Sequence, residues 1–436
     1  MRFRRSDRPN RRPLAFVPRI ETCDRRIVLS TLTVNPAAQV HAAVSLTING
    51  RTYSIGPGAN LAGADLFGAD LAGVDLAGAN LKGAVLNRAN LKGANLAGAN
   101  LENARLLDAD LTSANLAKSN LQSAKLTRAR FDGAALAGAN LQRANLDDAS
   151  LINAVATEAN LTSASLDWAN LTQANFRKAN LSDISGSHAK LISANLTQAN
   201  LRGARLGSAD LSKAILIYTD LTDARLEYAT LSKASLIFAN LTRTRLVDSR
   251  DAGANFYSAN LDSANLDRAN LSGADLASTL LASARFAEAD LTGAVVDHAN
   301  LDGVYAYRAT LTNAILEGAT LRSATLTWAD FTGANLRQAD LSGAQANEAR
   351  FNSANLDHAN LAELIATKAN FTGARLEGAA LRRAGLIEAN FTRANLRQAD
   401  LSNANVPGAN FTEADLRGAN TTGVSFRYTN LTGTVR

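Results

Sequence analysis

Apolar residues in this chain keep a five-residue beat. From Ala59-Asn60-Leu61 onward an alanine is followed two positions later by a leucine, then by two polar residues, and the pattern restarts. Ala59, Ala64 and Ala69 stay in step with Leu61, Leu66 and Leu71, and the beat reaches Thr429 and Leu431 without insertion or deletion, about 75 consecutive units of Ala-(Asn/Asp)-Leu-x-x with Phe often replacing Leu. A period of five fits neither a helix nor an uninterrupted strand. Ala and Leu alternate like a strand for three residues, and the next two, frequently Gly, Ser, Thr or Asn, read as a corner. With both apolar positions facing inward, such units must coil around one axis and share one continuous core.

The number of units per coil is also written in the chain. Phe331, Phe351, Phe371, Phe391 and Phe411 hold central positions twenty residues apart, and the three centres between neighbours in this set lack Phe. Twenty residues make four units, so the rings should stack on one side of a four-sided coil. Close-packed interiors resist voids and overfilling, and the chain obeys this: a small centre has a larger neighbour in Ile184/Gly186, Val304/Ala306 and Leu364/Ala366. The face preceding the Phe ladder holds Ala346, Ala366 and Val406, and all these small centres lie on it. At a strand spacing of about 4.8 Å, roughly 19 coils give a rod about 90 Å long. Its core would be too narrow for a ligand.

Ahead of the repeat, residues 44–55 alternate apolar and polar about Asn49-Gly50, which predicts a β-hairpin. Gly56-Pro57-Gly58 then turns into the first unit. Such a hairpin can cap the exposed coil edge. Three segments follow: a basic arm at 1–42, a hairpin cap at 43–58 and the repeat at 59–436.

Charge changes the picture only at the N-terminus. The net charge is +6, from 45 basic and 39 acidic residues. Ten arginines and three carboxylates lie within residues 1–58, so the repeat itself is nearly neutral. The arm reads either as a disordered basic tail or as an export segment, with Arg25-Arg26 before the apolar run Ile27 to Val34 and Val40-His41-Ala42 as a small-residue cleavage site. The string Ile20 to Ser30 resembles the LEPR-XLL N-terminal motif of large surface or secreted proteins of planctomycete-type bacteria, with Thr22-Cys23 where the motif has Leu-Glu. That resemblance implies an extracellular or cell-surface location; without an export signal the location would be cytoplasmic. Cys23 is the sole cysteine, which excludes an internal disulfide. No apolar run is long enough for a transmembrane helix.

The Ala-(Asn/Asp)-Leu-x-x array across residues 59–433, entered through Gly56-Pro57-Gly58-Ala59-Asn60-Leu61, resembles the pentapeptide repeat proteins. The resemblance implies an all-β solenoid, a right-handed quadrilateral β-helix with Leu or Phe at each inner centre. Some members of that family bind DNA gyrase by imitating B-form DNA and protect it from quinolones. This chain departs from them: its repeat is nearly neutral rather than acidic, and no apolar C-terminal helix follows.

No catalytic, cofactor or metal set stands out. His298 and His358 share a face about 14 Å apart, too far for one metal; His188 lies on another face, and His41 is in the arm. The Asn-Leu-Thr strings at Asn160, Asn170, Asn195, Asn240 and Asn430 follow from the consensus. Three surface features remain. Arg205, Arg225, Arg245 and Arg285 form a ladder with Glu227, Asp248, Asp267 and Glu288 on the same face, either a salt-bridged surface or a site for an anionic partner. Ile215, Ile217, Tyr218, Ile237, Phe238 and Tyr257 project outward from three successive coils, the pattern of a protein-contact or self-association patch. Tyr305, Tyr307 and Trp328 form a smaller aromatic cluster, with Trp168 expected alone. Asp251 falls on an inward centre, and because an unpaired buried carboxylate is costly, a bulged corner or a pairing with Arg250 is expected. These features point to a non-enzymatic structural or protein-binding rod. Its protein partner is unidentified, direct nucleic-acid binding by the repeat is not expected, and homo-oligomers could form through coil ends or the patch. A DNA-mimicking gyrase regulator is the alternative.

Overall fold

Each five-residue unit makes one extended step and one corner, and the hydrogen bonds explain why the consensus is what it is. The computed structural model describes residues 44–48 and 50–436. The arm at 1–42, with its export reading, and Asn49 of the hairpin turn lie outside the described residues.

Strands β1 (Val44–Ile48) and β2 (Arg51–Ile55) pair antiparallel, Val44 opposite Ile55 and Ile48 opposite Arg51. Gly50 takes φ +74 in the connection, where a side chain would be strained. Leu46 and Ile55 are buried, and the Tyr53 hydroxyl accepts a hydrogen bond from the Asp65 backbone N–H at 3.3 Å. The hairpin therefore touches the start of the repeat.

From Asn60 onward, the residue before each centre pairs in parallel with the residue twenty positions later, Asn60 with Asn80 and so on to Asp415 with Val435, except that Asn405 does not pair with Ser425. Coils of twenty residues are thus the unit of a β-solenoid. The centre donates its N–H to the next coil (Leu61 to Asn80 O, 2.7 Å), and its carbonyl accepts from the residue three positions later (Ala64, 3.0 Å). The third residue of that four-residue turn has positive φ throughout, the arrangement of a type II turn. Positive φ is hostile to β-branched side chains, and no Val, Ile or Thr occupies any such corner, although Thr is common one position earlier.

The Asn/Asp preference has a different cause. The N–H just after each centre has no backbone acceptor, and the Asn or Asp two residues before it supplies one, as Asp110 Oδ1 does for Thr112 at 2.9 Å. Asn amides also bond from coil to coil, Asn80 to Asn60 at 3.0 Å. Where that residue is not Asn or Asp, a carboxylate one coil earlier can substitute: Asp167 Oδ1 accepts from Ser187 N at 2.8 Å.

Leu, Phe and Ala side chains fill the interior. The five Phe rings stack at 4.7–5.0 Å with interplanar angles of 1–5°. Volume compensation holds too. Ile184 is buried beside Gly186, and a Cβ at Gly186 would sit 3.0 Å from Leu206 Cδ2.

Asp251 corrects the sequence expectation. The coil stays regular there: Asp251 N donates to Asn270 O at 2.7 Å, and Ala254 N to Asp251 O at 2.8 Å. The side chain is fully buried and unpaired with Arg250. Its partner is Ser249, whose Oγ lies 2.5 Å from Oδ2, while Oδ1 has none. Burial pushes this carboxyl up to about 7, so below that pH the coil keeps its geometry around a neutral acid.

Candidate functional site

The outward side chains fall into columns twenty residues apart, so a column in the sequence becomes a rank along one face of the solenoid. The apolar patch assembles in this way. Tyr218 and Phe238 are corner residues with φ of +57 and +56, and their rings stack at 5.0 Å with an 11° angle. Tyr257 meets Phe238 edge-on at 6.2 Å. Ile215, Tyr218, Phe238 and Tyr257 are exposed at 38–56%, whereas Ile217 and Ile237 are half-buried between them. The left-handed backbone at such a corner costs a non-glycine residue on the order of 1 kcal/mol. Gly is the commonest residue at this corner, and Ser, Asn, Asp, Glu, Gln, Lys, Arg, His, Trp and Tyr occupy it as well.

The arginine ladder divides. Arg245 pairs with Glu227 at 2.7 Å and Arg285 with Asp267 at 2.9 Å, while Asp248 is taken by Arg268 at 2.7 Å. The Arg268 guanidinium holds the Asp248 carboxyl below its usual range. Arg205 and Arg225 are exposed and have no ion-pair partner among the described residues.

The aromatic cluster contains an unforeseen cation. Tyr305 and Tyr307 stack at 6.2 Å, and Tyr307 meets Trp328 at 5.7 Å. The Arg308 guanidinium lies 4.3 Å from the Trp328 ring centroid and 5.2 Å from that of Tyr307, and Arg285 covers Tyr305 at 4.8 Å. Trp168, expected alone, instead stacks on His188 at 4.0 Å and 11°. The twenty-residue step from 168 to 188 was the available signal.

No group of three or more His, Cys, Asp or Glu is placed to hold a metal among the described residues. Nor do those residues include a helix long and apolar enough to cross a membrane. His298 Nδ1 lies 3.3 Å from Asp297 Oδ2, one residue away in sequence.

Comparison with known proteins supports the architecture. The family description "Pentapeptide repeats (8 copies)" matches ten segments between 59–96 and 408–435, most of them overlapping, and "Pentapeptide repeat region" matches 124–201. No curated protein matches the chain. Among solved structures, HetL, a pentapeptide repeat protein involved in heterocyst differentiation regulation from the cyanobacterium Nostoc sp., is 29% identical over 59% of this chain and 90% of its own, with a TM-score of 0.18. QnrB1, a plasmid-mediated fluoroquinolone resistance protein, is 22% identical over 44% of this chain and 88% of its own, with a TM-score of 0.26. A thylakoid-lumen protein of Arabidopsis thaliana is 27% identical over 33% and 68%, with a TM-score of 0.10. At these scores the neighbours carry no further argument.

Proposed function

This chain belongs to the pentapeptide repeat family, and we propose that it is a non-enzymatic, protein-binding rod whose contact site is the patch built on Tyr218, Phe238 and Tyr257. In this reading about 19 coils form a right-handed quadrilateral helix, the hairpin at 43–58 caps the first coil, and the arm at 1–42 is either a basic tail or an export segment. The observation that carries the function is the exposed Tyr218–Phe238 stack at two positive-φ corners. Two exposed rings stacked on one corner column beside Tyr257 make a contiguous apolar surface, the kind of feature that marks a protein contact. Ile215, Ile217 and Ile237 complete an apolar centre, the usual composition at the middle of a protein interface.

Mimicry of DNA on gyrase is disfavoured, because carboxylates along the rod are engaged by arginine, as in Asp223–Arg243, Asp302–Arg322 and Glu317–Arg337. A photo-crosslinking residue at position 238, with one at position 263 on another face as control, tests the patch in cells producing the protein. Adducts with one defined protein at 238 and none at 263 are expected. Adducts only between copies of this chain would make the patch an oligomer contact, and no adduct at 238 would reject it.

A further inference from the structure

We infer that two copies of this chain pair side by side and antiparallel along one corner of the coil, the column that steps by twenty residues from Arg88 to Glu288. This corner lies two units, half a coil, from the corner that carries Tyr218 and Phe238, so the two surfaces are separate. Charge alternates down the column: Arg88, Asp108, Arg128 and Asp148, then Asp248, Arg268 and Glu288. The alternation is already felt within one rod. Arg128 holds Asp108 and Arg268 holds Asp248, each at 2.7 Å, and Arg88 and Asp148 act on the first pair from either side. Between the charged runs stand Trp168, His188, Ser208 and Tyr228, all at positive-φ corners and all exposed.

Those four residues make a ridge with a gap in it. Trp168 covers one face of the His188 ring, at 4.0 Å and 11°, and leaves the other face turned along the column towards Ser208. Tyr228 leans the opposite way, its hydroxyl bonded to the Asp248 carboxylate one coil further on. Ser208, the smallest of the four, is therefore a hollow between rings. Trp168 and Tyr228, 61% and 59% exposed, are the most exposed large hydrophobic side chains ahead of the final coil among the described residues.

A second copy reversed about a twofold axis at His188 fits this profile in shape and in charge. Its Trp168 enters the hollow at Ser208 and meets the free face of His188, and the reciprocal contact forms on the other side of the axis. Arg88 then opposes Glu288, Asp108 opposes Arg268, and Arg128 opposes Asp248, each twice by symmetry. An axis one coil on, at Ser208, also opposes unlike charges, Arg128 with Glu288, but it sets hollow against hollow and Trp168 against Asp248. An axis midway between His188 and Ser208 sets Arg128 against Arg268. The acids beside the seam are turned into their own rod, Asp147 and Asp167 to Ser165 and Ser185, and Glu227 to Arg245. Exposed ion pairs fix register and add little affinity, so the buried rings supply the affinity. Ten coil steps give a seam about 48 Å long, and a contact only one corner wide suits a weak, micromolar dimer.

Sedimentation velocity on the full chain is expected to show a reversible dimer in the micromolar range. Trp168→Ser removes the inserted ring, and Ser208→Trp fills the hollow with a residue this corner already carries at 168 and 328; each should weaken the dimer at least tenfold. Arg128→Glu should weaken it as well, and Arg128→Glu/Asp248→Arg should restore it, because those two positions meet across the seam only in the His188 register. Circular dichroism matching the parent checks that each variant keeps the coil, and Phe238→Ser, on the opposite corner, should dimerise as the parent does. A strict monomer at hundred-micromolar concentration, a dimer indifferent to these substitutions, or restoration of Arg128→Glu by Glu288→Arg in place of Asp248→Arg would overturn the inference.

Discussion

Asp251 and Ser249 show how one residue can depart from a repeat without breaking it. The centre that elsewhere holds Leu or Phe here holds an acid, and the alanine position before it becomes the serine that bonds it. The folded-state value of about 7 lies above the ordinary 3.8, so the folded chain holds this proton more tightly than the unfolded one. Its contribution to stability is full below 3.8, falls as pH rises, and is gone above about 7. At about 1.4 kcal/mol per unit, this loss is about 4 kcal/mol. Because solenoids open locally, it should appear as faster amide exchange of residues 249–254 at pH 8 than at pH 5, after correction for intrinsic rates. Asp251→Leu should remove that difference and raise protection at pH 8. Equal protection of the parent at both pH values would contradict the buried acid.

At the scale of the coil, stability depends on volume shared between neighbouring positions. Gly186 exists because Ile184 and Leu206 already fill its space. Gly186→Leu, although it restores the consensus, should cost about 1–3 kcal/mol through overpacking, and Ile184→Ala about 2–5 kcal/mol through a cavity. Combined, the two changes should recover most of the loss, a coupling that denaturant titration of the four proteins measures. Additive losses would mean that the two sites do not share one volume. The coil also explains which parts of the site the sequence conveyed. The twenty-residue period places Tyr218, Phe238 and Tyr257 together, and likewise Arg205 and Arg225. It does not say that Glu227 turns to Arg245 and leaves Arg225 alone, because adjacent coils offer partners both 18 and 20 residues away and side-chain rotamers choose between them.

Over the whole molecule, charge is dispersed. The excess basicity lies in the first 58 residues, and the repeat alternates cations and anions that pair across coils. A rod of this kind lacks the continuous negative potential that would stand in for nucleic acid. Excess protein should therefore leave DNA gyrase supercoiling, and its sensitivity to a quinolone, unchanged. Inhibition of supercoiling would return DNA mimicry to first place.

The sequence by itself determined the five-residue beat, the four-unit coil, the Phe ladder and the pairing of small centres with large neighbours. All of these follow from period and volume, which a chain displays one residue at a time. Tertiary structure decided the rest: that Asp251 stays inside with Ser249, that Trp168 rests on His188, and that Glu227 turns to Arg245. Each depends on which neighbouring coil a polar or aromatic side chain turns toward, a choice made by hydrogen-bond reach between stacked strands and left unspecified by the repeat.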